Sequence, residues 1–165
     1  MSADGPAGGR RSWFVRDGRR LLDLDRYVPY FLTSVYNVIS RGASQLYLAR
    51  FGVGIVEWRV ATMLALEPGI PAARICEVIA LDKGGVSRAL ARLAALGHAE
   101  AEAAGGDPRR KLWRLTASGE ALHDGILELA LQREAALVEG VEPDDLEAFL
   151  RVMRRMRVNV ERLRG

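Results

Sequence analysis

The chain has 165 residues, 49% of them apolar, which is enough for a domain with a buried core. Its 24 basic and 21 acidic residues give a net charge of only +3, which permits a nucleic-acid partner without requiring one. The single cysteine, Cys76, excludes an intrachain disulfide, and the sequence has no signal peptide and no apolar run of about 18 residues. We therefore expect a soluble, cytoplasmic protein with no membrane contact.

Residues 1–22 are predicted to be an N-terminal extension that is partly disordered. Residues 1 to about 11 are Gly, Pro, Ala and Arg with little to bury, which favours disorder. Asp17-Gly18 separates two partly apolar runs within 13–22 and predicts a β-hairpin. Because two strands alone are only marginally stable, this hairpin would have to pack on something else, such as a partner chain.

Three helices are predicted next. Helical periodicity indicates a long helix over about 25–50, with Asp25 as its cap and Pro29 in its first turn, within a dimerisation segment assigned to 23–53. A second helix covers 55–66, and a short third helix starts at Pro71 and ends near residue 79.

The helix predicted over 83–96 has the most informative pattern. Its apolar residues Val86, Leu90 and Leu93 fall on one face, which would lie on a core. The opposite face carries only small residues and arginines, with a serine at its edge: Gly84, Ser87, Arg88, Ala91, Arg92 and Ala95. Such a face can approach a polyanion closely and still donate hydrogen bonds.

A basic-tipped hairpin follows this helix. Residues 98–103 are predicted to pair with 111–116 across a loop, 105–110, that contains Arg109 and Arg110. Helix, turn, helix and basic hairpin in this order predict a winged helix-turn-helix over 54–116. Units of this kind put one helix into the major groove of DNA and the wing on the backbone or minor groove.

The remaining segment, 117–165, is predicted to form C-terminal dimerisation helices. Thr116 would cap one that runs to about 139, and Pro143 stands in the first turn of the next. In this last helix, apolar residues alternate in steps of three and four, a heptad pattern long enough to require a partner helix. The residues of this seam are Leu146, Phe149, Met153, Met156, Val160 and Leu163.

The predicted fold is thus mainly α with a small β-wing: a winged helix-turn-helix flanked by long dimerisation helices. Over about 23–163 this layout resembles the MarR family of bacterial transcriptional regulators. The motifs that carry the resemblance are EWRV (57–60), LDKGGVSRALARL (81–93), Leu96-Gly97, DPRR (107–110) and LTASG (115–119). At 107–110 the family often has a plain Asp-x-Arg or Asp-Arg-Arg, and this chain keeps the Asp-x-Arg spacing.

The resemblance implies a sequence-specific transcriptional regulator, a homodimeric repressor that binds a pseudo-palindromic operator in double-stranded DNA and is released by a small ligand. Ser87 and Arg88 suit base edges, and Lys83 and Arg92 suit phosphates. The resemblance further implies that Arg109 enters the minor groove while Asp107 orients it. The full predicted DNA-contacting set is Lys83, Gly84, Ser87, Arg88, Arg92, Asp107, Arg109 and Arg110.

The resemblance also implies a ligand pocket between the dimerisation helices and the winged unit. Tyr36, Trp58 and Arg59 are the predicted lining, which would suit an aromatic carboxylate or a phenol. The alternative for each of the three is core packing or dimer contact. Cys76 is interpreted as a structural cysteine because its helix is expected to be largely buried and there is no second cysteine to resolve a sulfenate.

No enzyme is predicted, and we expect neither a metal nor another cofactor. The sequence has no metal-ligand spacing, nucleophile elbow, Walker loop or dinucleotide fingerprint. Two alternatives come from other classes: a winged unit used for dimerisation or protein interaction without DNA, and a small-molecule-binding enzyme. A ligand-independent regulator of the same fold is a third.

Overall fold

The structure is a computed structural model that describes residues 11–105 and 107–163, with only the main chain at 104 and 107–109. The predicted disorder of residues 1–10 lies outside this range. Helices dominate and a small antiparallel sheet forms the wing, which confirms the predicted fold class. In chain order the elements are β1 (Trp13–Arg16), β2 (Arg19–Leu22), α1 (Val28–Phe51), α2 (Ile55–Leu66), β3 (Ile70–Pro71), α3 (Ala72–Ile79), α4 (Lys83–Ala95), β4 (Ala99–Ala104), β5 (Asp107–Leu115), α5 (Ala117–Leu137) and α6 (Pro143–Leu163).

The predicted N-terminal hairpin is present. Strands β1 and β2 pair antiparallel, and the turn residues Asp17 and Gly18 have φ of 51° and 72°. Two successive positive φ angles match the right-handed twist of a tight hairpin, which is why Asp-Gly is favoured here. The guanidinium of Arg20 lies over the Trp13 ring, 4.6 Å from its centroid. Most of the hairpin's side chains are nevertheless exposed.

The start of α1 differs from the prediction. Asp25 does not cap the helix, which begins at Val28 without any side-chain cap. The preceding turn is instead organised by Asp23, whose carboxylate accepts a hydrogen bond from the Asp25 N–H at 3.1 Å. Pro29 lies in the first helical turn as predicted, where its missing N–H has no intrahelical partner to lose.

Helices α1 to α5 and the wing sheet enclose the core. Val86, Leu90 and Leu93 are at most 1% exposed, which confirms the predicted inner face of α4. Burying each such side chain contributes about 1.5–3 kcal/mol to the folded state. Asp82 caps α4 by accepting a hydrogen bond from the Gly85 N–H at 2.8 Å, so the start of this helix is fixed by its own sequence.

The wing sheet differs from the prediction in two respects. It contains a third strand, β3, in which Ile70 pairs with Trp113. Residues 107–110, predicted as part of a loop, belong to β5: Ala103 pairs with Lys111, and after a register shift Ala104 pairs with Asp107. The shift leaves Pro108, which cannot donate to the ladder, outside regular pairing.

Helix α5 runs antiparallel to α1. Gly125 lies near Phe51, and Arg133, further along α5, lies near Gly42, further back along α1. Gly140 has φ 76° and separates α5 from α6, which starts at Pro143 as predicted. Nothing in α6 is buried within the single chain. Over 11–105 and 107–163, no helix has both the length and the apolar character needed to cross a membrane.

Candidate nucleic-acid interface

Helix α4 presents a continuous exposed face. Lys83, Gly84, Ser87 and Arg88 are all exposed, while their neighbours on the other side are buried. A methyl group at Gly84 would lie 3.1 Å from Nη1 of Arg88, so the missing side chain leaves room for this guanidinium over the first turn of the helix. The structure therefore brings four of the predicted DNA-contacting residues together.

The cap of this helix is also charged. Hydrogen bonds from the Gly85 and Gly84 N–H groups, with the nearby Arg88 guanidinium, lower the pKa of the Asp82 carboxyl. The carboxylate therefore stays ionised at neutral pH. It satisfies main-chain donors at the N-terminus of α4, where a negative charge is favoured by the helix dipole.

A cleft of about 480 Å³ separates α4 from the wing. One wall carries Ser87 and Ala91, and the other carries Arg110 and Lys111, both of which are exposed. Arg110 is thus near the predicted contacts on α4. For Asp107 and Arg109 the structure gives only the main chain, in β5, so their predicted side-chain contacts remain predictions.

Arg92 is in a different environment from the other predicted phosphate contacts. Its Nη2 donates a hydrogen bond to the main-chain oxygen of Gly52 at 2.9 Å, and its Nε lies 3.9 Å from Oε1 of Glu57. Its guanidinium thus contacts the α1–α2 connection. Sequence reasoning missed these contacts because Gly52 and Arg92 are 40 positions apart, with no local signal that links them.

The base of the wing is joined to α5 by the residues of the LTASG motif. Oγ1 of Thr116 donates to the main-chain oxygen of Gly97 at 2.6 Å and accepts a hydrogen bond from the Gly119 N–H at 3.1 Å. The hydroxyl of Ser118 lies 2.9 Å from Nδ1 of His98. The predicted Thr116 cap is confirmed, and the same side chain also connects α5 to the start of β4.

Of the three predicted ligand-binding residues, the structure brings two into contact. Nη1 of Arg59 donates to the Tyr36 hydroxyl at 2.9 Å, and the guanidinium lies over the Tyr36 ring, 5.1 Å from its centroid. A hydrogen bond from Ser40, together with the hydrogen bond and charge of Arg59, lowers the pKa of the Tyr36 phenol. This exposed pair connects α1 with α2.

Trp58, the third residue, has other neighbours. Its ring centroid lies 5.1 Å from that of His123 on α5 and 6.3 Å from that of Tyr47 on α1. The Trp58–His123 contact could not be predicted from the sequence, since the two residues are 65 positions apart. Cys76 is partly buried against the core. Within the described residues, no group of three or more His, Cys, Asp or Glu side chains is arranged to hold a metal ion.

The predicted α6 seam is accessible in the single chain. Phe149 and Val160 are 54% and 46% exposed, and Leu146, Met153 and Met156 are only partly covered. The first half of α1 exposes further large apolar side chains, including Val35 at 49% and Val38 at 74%. Both terminal helices therefore leave apolar surface unburied.

A helix-turn-helix whose second helix is exposed beside a cationic wing defines a DNA-binding fold of the winged helix-turn-helix class. A family model described as "MarR family" matches residues 51–110, which span α2 to the wing. This part of the chain is therefore similar to the MarR family of transcriptional regulators.

Several solved structures are similar to this chain. A MarR/EmrR family regulator from Acinetobacter sp. ADP1 is 25% identical, with a TM-score of 0.79 over 86% of this chain and 99% of that one. The PcaV regulator from Streptomyces coelicolor, in complex with its natural ligand, is 19% identical, with a TM-score of 0.72 over 83% and 96%. A cysteine-to-serine mutant of MarR from E. coli, complexed with operator DNA, is 20% identical, with a TM-score of 0.70 over 78% and 92%. No curated protein matches the sequence.

Proposed function

We propose that this protein is a transcriptional regulator of the MarR family, a homodimeric repressor that binds a pseudo-palindromic operator and is released by a small aromatic ligand. The observation that carries the DNA-binding part is the shared exposure of Lys83, Ser87 and Arg88 on α4, with Ser87 facing Arg110 and Lys111 across one cleft. Small residues on α4 permit a close approach to the major groove, and the cations supply phosphate contacts. The complex of E. coli MarR with operator DNA supports the same use of the fold.

Within this proposal the residues divide by role. Ser87 and Arg88 read base edges, Lys83 and Arg110 bind phosphates, and Gly84 allows close approach. Arg109 enters the minor groove, and Asp107 orients its guanidinium. The proposed units are 23–53 and 117–165 for dimerisation and 54–116 for DNA binding, preceded by an extension over 1–22.

The dimer is supported by the apolar surface that a single chain leaves exposed. The α6 seam has heptad spacing and buries nothing within its own chain. The exposed first half of α1 would pack in the same interface. Because a two-fold dimer presents two α4 helices, the operator would contain two half-sites related by symmetry.

Binding should be tested by fluorescence anisotropy, with the inverted repeats upstream of the regulator's own gene as labelled probes. Arg88→Ala should weaken operator binding by about 1–3 kcal/mol and reduce preference at one base pair. Lys83→Ala should weaken all sequences alike. Arg114→Ala is the control, because this exposed wing arginine pairs with Glu100 at 2.7 Å. Equal losses on operator and random DNA for Arg88→Ala would contradict its assignment as a base reader.

The ligand part of the proposal is supported by the Tyr36–Arg59 pair. An aromatic carboxylate could accept the hydrogen bond that Arg59 now donates to Tyr36, and its ring could lie beside the phenol. Trp58 is proposed as a further aromatic contact. Benzoate and phenol are suitable probes: both should bind the wild type, and Arg59→Met should lose benzoate binding more than phenol binding. Operator binding unaffected by either probe, up to concentrations that saturate the protein, would support the ligand-independent alternative.

The protein-interaction alternative predicts a different result. A winged unit without DNA contacts would show no salt-dependent binding to any duplex. For a DNA-binding protein, the logarithm of the binding constant falls linearly with the logarithm of the salt concentration, with a slope of about −0.9 for each phosphate neutralised. Titrations at several salt concentrations therefore separate the two functions.

A further inference from the structure

Arg92 joins the last turn of α4 to the connection between α1 and α2. The Gly52 oxygen that accepts its hydrogen bond lies just beyond the end of α1, where Gly52 has φ 72°. The carboxylate of Glu57, 3.9 Å from Nε, also accepts a hydrogen bond from the Gly54 N–H at 3.0 Å and so closes the first turn of α2. A single guanidinium thus contacts both ends of the short α1–α2 connection.

Electrostatics favour this arrangement. Main-chain oxygens at the C-terminal end of a helix carry partial negative charge, which attracts a cation. The side chain of Glu57 is only 18% exposed and that of Arg92 is 51% exposed, so their ion pair is partly shielded from solvent.

On its buried face α4 packs on the core together with α2. On the side of the α1–α2 connection, Gly85 and Arg88 line a cleft of about 210 Å³ opposite Ser44 and Glu57. Arg92 adds a direct polar contact between the last turn of α4 and the C-terminal end of α1.

We propose that Arg92 is a positioning residue, which sets the orientation of the recognition helix relative to the dimerisation helix, and is not a phosphate contact. This inference rests on the proposed dimeric DNA binding. In such a dimer, α1 belongs to the interface and α4 contacts the half-site. The contacts of Arg92 with Gly52 and Glu57, called the joint below, therefore influence the separation of the two recognition helices. Loosening the joint lowers the advantage of binding two half-sites at fixed spacing and leaves each half-site contact intact.

Two conservative variants test this. Arg92→Lys keeps the charge but loses the planar guanidinium that reaches both acceptors. Glu57→Gln removes the ion pair and keeps an acceptor for the Gly54 N–H. Both should weaken binding to the two-half-site operator by about three- to tenfold, the effect expected for a charge-assisted contact. Binding to an isolated half-site should be unchanged, and so should the dependence on salt.

A phosphate contact predicts other results. Arg92→Lys would then be almost neutral, Glu57→Gln would have no effect, and Arg92→Ala would reduce the salt slope by about 0.9 on operator and half-site alike. This outcome would overturn the proposal. The thermal unfolding of each variant is compared with that of the wild type, so that a loss of binding can be distinguished from a loss of folding.

A second measurement needs no DNA and separates this proposal from the proposed function. Spin labels at Ala95→Cys in a Cys76→Ser background would report the distance between the two α4 helices of a dimer. Arg92→Lys and Glu57→Gln should broaden that distance distribution, and Arg114→Lys, the matched control, should not. An unchanged distribution would overturn the positioning role even if the wild type bound its operator. Broadening in a protein that bound no DNA would support the joint but reject the DNA-binding function.

Discussion

Gly119, in the first turn of α5, lies directly against the main-chain carbonyl of His98 at the start of β4. A Cβ atom at this position would overlap the His98 oxygen and lie 3.1 Å from Cδ2 of Leu115. The same His98 oxygen accepts a hydrogen bond from the Thr116 N–H at 3.2 Å. The base of the wing and the start of α5 therefore meet backbone to backbone, which only a glycine allows.

Gly119→Ala should destabilise the protein by about 1–3 kcal/mol, because the added methyl forces the two backbones apart. Gly125→Ala in the same helix is the control: its methyl would meet only the ring edge of Phe51, at 3.0 Å, and a side chain can shift. Urea unfolding measures both. If both variants lost equal stability, the close contact at His98 would not be the cause.

The ionised Asp82 cap makes the stability of α4 dependent on pH. Because the folded state lowers the pKa of Asp82, the stabilisation is complete above about pH 4, where an unfolded aspartate titrates, and is lost as the pH falls through the folded-state pKa. Asp82→Asn keeps a capping side chain but has no charge to lose. Wild type should therefore have the higher urea midpoint at neutral pH, and the difference should disappear in acid. Asp25→Asn, at an exposed aspartate that caps no helix, should show no such convergence.

The α6 seam predicts that the protein is a dimer. Phe149→Asp with Met153→Asp should give monomers or aggregates and abolish operator binding, since two charges would enter the proposed interface. Arg151→Asp, on the opposite side of the helix, should leave the dimer intact. Light scattering or sedimentation measures the assembly. A well-folded wild-type monomer at micromolar concentration would contradict the dimer.

If Arg109 enters the minor groove as proposed, operator affinity should depend on the base pairs that flank the half-sites. Arg109→Ala should weaken operator binding while fold and assembly are kept, and Asp107→Ala should do so less, because aspartate orients the cation but does not attract DNA. Replacing flanking A·T pairs by G·C widens the minor groove and should weaken the wild type but hardly affect Arg109→Ala. Affinity that was unchanged in Arg109→Ala at moderate salt would show that the wing takes no part in recognition.

The predictable parts of this fold are those with local signals. The inner face of α4 followed from the spacing of Val86, Leu90 and Leu93, and the hairpin turn followed from Asp17-Gly18, since each depends on residues close in sequence. Strand β3 is only two residues long, too short for any periodicity, and depends on Trp113 for its pairing. The start of α1 has no such local signal, because the helix begins at Val28 without a side-chain cap and Asp25 lies outside it.

In the candidate site, too, the features with local sequence signals could be predicted and those set by tertiary packing could not. Exposure of Ser87 and Arg88 followed from helical geometry alone. The role of Arg92 did not, because a position at the edge of the outer face is compatible with DNA or with Gly52, and the latter is brought near only by tertiary packing. Likewise Tyr36 and Arg59 could be paired only after α1 and α2 had packed together.

The N-terminal hairpin has a consequence for self-association. In the described chain, β1 and β2 pair only with each other, so each keeps one edge of free main-chain donors and acceptors. Open edges of this kind can recruit further strands without limit. Arg16 faces Arg19 directly across the ladder, with Arg20 next to them, and like charges in register repel a copy of the same strand. The arginines thus weaken the hairpin itself but oppose the edge-to-edge growth that would turn a discrete assembly into a fibre.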